Sequence, residues 1–237
     1  MKHVGSCTFL GSLLCVVAGC TISDGDGSAA GNLNLPTCWS GSYDLAPDFF
    51  TASPYQENSL SIRIQAGGDF QAFSDGMSIQ VEDIATIRET LLGQPLKVDL
   101  PPAVVPPGEP VLPNPDPARV GASLYLQKTC RTLNVALYAT RVQLSPSGAC
   151  NDDEPRICSV PTSGPVGEST ITFTHLYSGK IDESRADDRL IEGSYHLFFS
   201  DPRTLCPGVL APPKCLAELK GTFRFYFQRG RPGQAFP

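Results

Sequence analysis

Two of the three histidines, His175 and His196, are the side chains best suited to general acid–base chemistry near neutral pH. Each lies in a stretch of alternating apolar and polar residues and is therefore expected on a strand. A hydrolase of glycan or ester bonds could use either histidine with a carboxylate from a loop. The signatures G-x-S-x-G, S-x-x-K, H-E-x-x-H and the phosphate loop are all missing. Because lone strand histidines more often pack or face solvent, the sequence favours a non-enzymatic protein and keeps the hydrolase as an alternative.

An acidic loop is the best candidate for a metal site. The run Asn151, Asp152, Asp153, Glu154 places four oxygen-bearing side chains between Cys150 and Cys158. Calcium takes about six to eight oxygen ligands, and loops at the end of a β-sandwich often supply them. The run does not follow the D-x-D-x-D-G pattern, so a solvated acidic turn is the alternative. Calcium binding by this loop is a hypothesis, and no other cofactor is expected.

Aromatic residues near the start of the domain indicate a second kind of site. Trp39 is the only tryptophan, and Tyr43 follows it four residues later. Exposed aromatic rings on a sandwich could stack on sugar rings, which would make the protein a carbohydrate-binding module. The sequence favours a core position for Trp39, because it adjoins Cys38, an expected disulfide residue. Trp39 and Tyr43 are therefore candidate ligand-binding residues, with a packing role as the alternative.

The nine cysteines divide into three groups. Cys7 and Cys15 lie in an apolar segment at the amino terminus, and Cys20 follows that segment directly. The remaining cysteines are even in number, namely Cys38, Cys130, Cys150, Cys158, Cys206 and Cys215. Such a set beyond an export signal predicts three disulfides, and the lack of any C-x-x-C argues against structural zinc. Six cysteines allow 15 pairings, and the sequence does not decide among them. The shortest loops favour the pairs Cys150–Cys158 and Cys206–Cys215, which leaves Cys38–Cys130.

Residues 1–19 have the pattern of a signal peptide. Lys2 provides a positive start, a short apolar core follows, and small residues precede Cys20. The ending Val17-Ala18-Gly19-Cys20 resembles the lipobox of bacterial lipoproteins. This resemblance implies cleavage before Cys20, acylation of its thiol by diacylglycerol and a palmitate-bearing amino terminus. Thr21 in place of aspartate resembles the sorting signal for the outer membrane.

Residues 20–37 are predicted to be a lipidated, flexible tether. The segment is small, polar and rich in glycine, a composition that cannot bury its own backbone. The sixteen residues from Thr21 to Pro36 would span roughly 20–25 Å as a random coil. The folded domain is expected to begin near Cys38.

Alternation of apolar and polar residues dominates residues 38–230. Clean alternation of this kind predicts antiparallel strands with one buried face. The apolar positions of the predicted strands are Leu60, Ile62, Ile64, Met77, Ile79, Val81, Leu124, Leu126, Val135, Leu137, Ala139, Ile171, Phe173, Tyr195, Leu197, Phe199, Leu219, Phe223, Phe225 and Phe227. With a further strand over Tyr43 to Phe50, about eight strands predict one all-β, jelly-roll-like sandwich. Residues 231–237 form a tail.

Two segments interrupt this pattern. Residues 83–93 show helical spacing, with Asp83 able to cap the start and Gly93 the end, although a strand extension is a rival. Residues 101–117 contain eight prolines, which cannot donate to a strand ladder, so this run predicts a long surface crossover within one domain. At most one short helix is therefore expected.

The charge of the mature chain excludes one class of partner. Removal of residues 1–19 loses Lys2 and no acid, which leaves 17 basic and 24 acidic residues and a net charge of −7. Nucleic acids require a basic surface, so no nucleic-acid partner is expected. The expected contacts are the membrane, through the lipid, and an extracellular protein or glycan.

Several segments together resemble a group of predicted lipoproteins of unknown function from myxobacteria. They are the lipobox, the run Cys38 to Tyr43, the turn Phe73 to Gly76, and Ser123 to Arg131. The resemblance implies a cell-envelope location, on the outer membrane, and it implies no catalytic residue. The sequence as a whole thus predicts an acylated envelope protein that binds or scaffolds an extracellular ligand.

Overall fold

The computed structural model describes residues 25–35, 37–56, 58–67, 74–99, 120–131, 136–150, 164–178, 189–201, 203 and 212–227. Within these ranges, none of the helical segments is long and apolar enough to cross a membrane. The Pro-rich run 101–117, the predicted signal peptide 1–19, the predicted lipidation residue Cys20 and the predicted tail 231–237 lie outside the described residues.

The described chain is almost entirely β-structure. In chain order its strands are β1 (Gly25–Leu35), β2 (Trp39–Asp44), β3 (Phe49–Gln56), β4 (Ser59–Ala66), β5 (Asp75–Glu82), β6 (Leu96–Lys97), β7 (Val120–Leu126), β8 (Leu137–Ala139), β9 (Val142–Gln143), β10 (Val166–Gly167), β11 (Thr170–His175), β12 (Leu190–Ser200) and β13 (Ala217–Tyr226). Every pairing between these strands is antiparallel. The predicted all-β class is confirmed.

Eleven of the strands form one sheet that folds over on itself. Its order is β2-β1-β13-β12-β8-β7-β5-β4-β3, and β11 pairs with β12 and with β6. We call β2, β1, β13, β12, β11 and β6 the first layer, and β7, β5, β4 and β3 the second layer. The short β8 pairs with β12 and with β7, so it joins the layers. Phe50 of β3 stacks on Phe225 of β13 with ring centroids 6.0 Å apart, which shows that the layers pack face to face. The fold is therefore sandwich-like.

The core is built from the positions that alternation predicted. The following predicted positions lie buried between the layers: Leu60, Ile62, Ile64, Met77, Ile79, Val81, Leu124, Leu126, Leu137, Ala139, Ile171, Phe173, Tyr195, Leu197, Phe199, Leu219, Phe223 and Phe225. Phe227 packs against this cluster while partly exposed, and Val135 lies outside the described residues. Period-two patterning identified the buried face because every strand turns one face inward.

The predicted helix over 83–93 is also confirmed. An α-helical turn, Ile84–Thr86, continues directly into a π-helical turn, Ile87–Leu91. The Asp83 carboxylate accepts a hydrogen bond from the Thr86 backbone N–H at 3.3 Å, which caps the start. Gly93 follows with φ +79°, the left-handed conformation that ends helices at glycine.

The flexible tether predicted for residues 20–37 is wrong over most of its length. Gly25–Leu35 is the eleven-residue strand β1, and it pairs along one side with β13 and along the other with β2. The chain therefore enters the first layer at Gly25, well before Cys38. Small and polar composition was a poor guide because β1 exposes one face to solvent and needs small residues on the other.

Close packing explains why those inward residues are small. A Cβ at Gly31 would collide with the Glu218 carbonyl of the neighbouring strand. At Gly27 it would lie 2.9 Å from the ring of Phe50, which crosses β1 from the second layer. These glycines let β13 and Phe50 approach the β1 backbone, an approach that only a residue without a side chain permits.

The strand predicted over Tyr43 to Phe50 is in fact two strands. β2 ends at Asp44 and β3 begins at Phe49. The Asp44 carboxylate accepts the N–H of Ala46, which adopts φ 45°, and this turn breaks the strand. Alternation missed the break because Leu45 is buried and continues the apolar pattern.

Two disulfides lie in the described residues, and one of them corrects the predicted pairing. Cys38 pairs with Cys130 as expected, with Cα atoms 5.3 Å apart. Cys150 pairs with Cys215, at 5.0 Å, and not with Cys158. The predicted pair Cys206–Cys215 is excluded by the same bond. Cys158 and Cys206 lie outside the described residues.

The partner of Cys150 is decided by which segments lie together in the fold and not by the length of the loop between the cysteines. The N–H of Gln143 in β9 donates to the Pro213 carbonyl at 2.7 Å, and Gln143 also forms a parallel bridge with Lys214. This pairing brings the chain after β9 alongside the segment before β13. Cys150 and Cys215 join a small apolar cluster with Val142, Leu144 and Phe198 on the outside of β12.

Replacing Gly31 tests whether residues 25–35 are a strand packed in the first layer. We expect Gly31→Ala to lower the free energy of unfolding by about 1–3 kcal/mol, because the new methyl group would force β13 away. Asn32→Ala, on the exposed face of the same strand, should change it by less than about 0.5 kcal/mol. Urea unfolding of the mature domain measures the free energy of unfolding of both variants. A negligible change in Gly31→Ala, equal to that in Asn32→Ala, would indicate that this segment is a tether.

Candidate functional site

The exposed face of the first layer carries both histidines. We call this surface the outer face; its positions alternate with the core positions of β1, β13, β12 and β11. Cross-strand register places its side chains in rows. One row contains Asp26, Arg224, Glu192 and His175, and another contains Ala30, Lys220, His196 and Thr170. Between them lies a row of hydroxyl groups from Ser28, Thr222, Ser194 and Thr172.

His175 belongs to a mixed charge cluster in the first of these rows. Its Nδ1 lies 2.9 Å from Glu192 Oε2, and Arg224 Nε lies 4.0 Å from the other oxygen of the same carboxylate. All three side chains are at least one-third exposed, so solvent screens their attraction. A bulge in β11 between Phe173 and His175 brings His175 opposite Glu192.

His196 forms a tighter cluster with a less exposed carboxylate. Its Nε2 lies 2.8 Å from Glu218 Oε1, and Lys220 Nζ lies 2.9 Å from the same oxygen. The His196 ring also packs on Phe198, with centroids 4.5 Å apart. Partial burial would raise the pKa of Glu218, but the hydrogen bonds and charges of Lys220 and His196 outweigh it and hold that pKa below its usual range.

The two histidines share a face but do not form one reaction centre. Glu192 and His196 are four residues apart on β12, which separates the clusters by roughly 13 Å along the strand. Among the described residues, neither imidazole makes a hydrogen bond with a hydroxyl group. Each cluster is thus a histidine oriented by a carboxylate on the exposed face of the sheet. Such an arrangement can form hydrogen bonds and ion pairs with a ligand.

Trp39 and Tyr43 have different environments, although both were candidate binding residues. Trp39 is 42% exposed on the edge strand β2, so the expectation of a core position is wrong for it. Its indole N–H donates to the Ser42 carbonyl at 3.1 Å, and its ring meets Tyr43 edge-on with centroids 6.1 Å apart. Tyr43 is buried. The ring of Trp39 is therefore held in place while remaining open to solvent.

A buried carboxylate that the sequence motifs do not reveal, Asp75, lies beneath this edge. Asp75 accepts hydrogen bonds from the Tyr43 hydroxyl at 3.2 Å and from the backbone N–H groups of Lys128 and Thr129 at 2.9 and 3.1 Å. The Thr129 hydroxyl donates to it at 2.5 Å. Burial and the adjacent Asp75 carboxylate both raise the pKa of Tyr43. The phase of β5 could have revealed this site, because Asp75 shares the inward face of Met77 and Ile79.

Asp75 connects three segments that are distant in sequence. Tyr43 belongs to β2, Asp75 begins β5, and Thr129 precedes Cys130 after β7. The Cys38–Cys130 disulfide covalently joins the first and third of these segments. All three segments contributed to the resemblance described for the sequence, so those residues coincide with a structural junction.

The remaining predicted site residues are not placed by the structure. Cys20 and the candidate calcium ligands Asn151, Asp152, Asp153 and Glu154 lie outside the described residues. Across the described ranges, no three His, Cys, Asp or Glu side chains are grouped as metal ligands.

Comparison with known proteins adds no assignment. No protein-family model, curated protein or solved structure matches this chain.

The lowered pKa of Glu218 predicts a pH-dependent contribution to stability. A carboxyl group with a lowered folded pKa stabilises the fold above its unfolded pKa, about 4.3, and loses that contribution as the pH falls through the folded value. We therefore expect Glu218→Gln to be less stable than the wild type at pH 6 and to approach it near pH 3. Urea midpoints measured across this range test the prediction.

Lys220→Met provides the matched comparison for Glu218→Gln. It removes one of the two partners that lower the pKa of Glu218, so we expect an intermediate loss at pH 6. A stability difference between the wild type and Glu218→Gln that stays constant from pH 6 to pH 3 would contradict this account.

Proposed function

We propose that this chain is an outer-membrane lipoprotein, acylated at Cys20, whose sandwich serves as a non-enzymatic binding or scaffolding module. The lipid anchors the domain to the membrane, on the periplasmic side or the cell surface. The ligand is an extracellular glycan or protein, and nucleic acid is excluded as a partner by the net charge of the mature chain.

The observation that carries this proposal is that the lipobox and the disulfides both point to an exported protein. Disulfides persist in exported proteins and are rare in the cytosol. The structure has two of them, Cys38–Cys130 and Cys150–Cys215. Two of the remaining mature cysteines, Cys158 and Cys206, can form a third pair, which leaves Cys20 free for lipid.

A glycan is the ligand class that the geometry of Trp39 favours. An indole that is 42% exposed and oriented by its own hydrogen bond can stack on a sugar ring at little entropic cost. The ring lies in the same phase of β2 as Tyr43, so the indole stands at the rim of the buried face, where a sugar ring can approach its open side.

A hydrolase is the second candidate, and the His196 cluster is what favours it. The 2.8 Å contact between His196 and Glu218 is the oriented histidine–carboxylate pair that a general base requires. Ser194 is the nearest hydroxyl-bearing residue on the same face of β12. Loss of a measured esterase or glycosidase activity in both His196→Gln and Glu218→Gln would favour this candidate over binding alone.

Labelling with palmitate tests the anchor. We expect labelled palmitate to be incorporated into the wild-type chain expressed in a bacterial host, because acylation needs the Cys20 thiol, and we expect Cys20→Ala to lose the label. Cys20→Ser is the control with the closest side-chain shape, and it should also lose the label. An unlabelled wild-type protein in the membrane fraction would overturn the anchor.

Replacement of Trp39 tests the glycan site. We expect Trp39→Ala to lose at least about fivefold in affinity for any glycan that the wild type binds on an array, since ring stacking contributes about 1 kcal/mol. Trp39→Tyr should retain most of the binding, because tyrosine keeps a stacking surface. Undiminished binding by Trp39→Ala would place the glycan site elsewhere.

A further inference from the structure

The chain between the lipidation residue and the folded domain is short. β1 begins at Gly25, five residues after Cys20. Even fully extended, five residues reach no more than about 18 Å. The tether of 16 residues expected from composition does not exist, because eleven of its residues form β1. A domain anchored at Cys20 therefore lies against the membrane.

The antiparallel register identifies which end of the first layer adjoins the anchor. Gly25 pairs with Phe225 of β13, and Leu190 of β12 pairs with Tyr226. We call this end, defined by Gly25, Leu190 and Tyr226, the proximal end. The opposite end, defined by Leu35, Ser200 and Ala217, is the distal end. An eleven-residue strand separates them by roughly 33 Å.

Aromatic side chains collect at the proximal end. Phe227 stacks on Tyr177 with ring centroids 4.4 Å apart, and it remains partly exposed. Tyr226, immediately before it, is also partly exposed. Tyrosine, whose ring is apolar and whose hydroxyl is polar, favours the depth of lipid headgroups, and an adjacent phenylalanine ring adds apolar contact there.

The distal end holds the features expected of a ligand-binding end. Trp39 pairs with Leu35 at the end of β1, and the Cys38 N–H donates to the Leu35 carbonyl at 2.8 Å. Cys215 lies just before β13, and the neighbouring Leu216 carbonyl accepts the Asn34 N–H at 2.7 Å. Both described disulfides thus brace the end of the layer that is farther from the anchor.

We propose that the proximal end rests on the lipid headgroups through Tyr226 and Phe227, so that the distal end with Trp39 points away from the membrane. This inference rests on the proposed acylation of Cys20. The occupant of the proximal end is the headgroup layer of the membrane that the acyl chains enter. Trp39 then stands roughly 30 Å or more above that layer, where a polymeric ligand can reach it.

The single tryptophan makes this orientation measurable. Acylated full-length protein is reconstituted into phosphatidylcholine vesicles that contain a lipid with a nitroxide on its headgroup. One sample has the natural Trp39, and a second carries Trp39→Phe with Tyr226→Trp. A third carries Trp39→Phe with Phe227→Trp, in case one substitution disturbs folding. We expect the nitroxide to quench the tryptophan at 226 or 227 severalfold more than Trp39.

The outcomes separate the orientation from the anchor. If the wild-type chain does not cofractionate with vesicles, or does so equally well as Cys20→Ala, the proposed acylation fails. If the acylated protein is bound and Trp39 is quenched as strongly as the proximal tryptophans, the domain lies on its side and the orientation is overturned. Bound protein with strong proximal and weak distal quenching supports both.

Discussion

The hydrogen-bonded pairing of β1 with β13 is the constraint on which the rest of the sandwich depends. β1 places Gly25 through Leu33 against Phe225 through Ala217, and its other side pairs with β2. Without β1, β2 would have no neighbour in the layer, and the Cys38–Cys130 disulfide would have no sheet to brace. The same strand sets the distance from the domain to the proposed lipid anchor. The fold and the proposed membrane attachment thus depend on a segment whose composition resembles a linker.

Two tyrosine rings of the sheet pack on glycines of neighbouring strands. Tyr195 lies over Gly221 on the neighbouring strand, and its hydroxyl donates to the Ser28 carbonyl one strand further on, at 2.8 Å. Tyr125 repeats the arrangement over Gly76 and donates to the Gln65 side chain at 2.8 Å. Burial raises the pKa of Tyr125 to about 12, so its hydroxyl remains a donor at all physiological pH values. Each pair ties three strands together with one side chain.

How far a sequence predicts such a structure depends on whether the signal is local. Alternation located the core strands because a half-buried strand must alternate, and Asp83 and Gly93 bounded the helix through their own backbone chemistry. Cys150 was assigned to the wrong partner because the contact between β9 and the segment before β13 is a tertiary event. The clusters around His175 and His196 were equally hidden, since strand order decides that Glu192 and Glu218 are their neighbours. β1 was missed because its glycines are there to make room for the backbone of β13 and for the ring of Phe50, which the sequence of β1 does not show.

A domain that begins five residues after its proposed lipid anchor has little freedom to sample the space above the membrane. Hydrogen exchange of the backbone amides in residues 25–35 of the mature protein tests the central claim most directly. The account predicts that the amides of Ala30 through Leu33, where β1 lies between β2 and β13, exchange as slowly as those in the centre of β12. Exchange of these amides at the rate of an unstructured chain would contradict it.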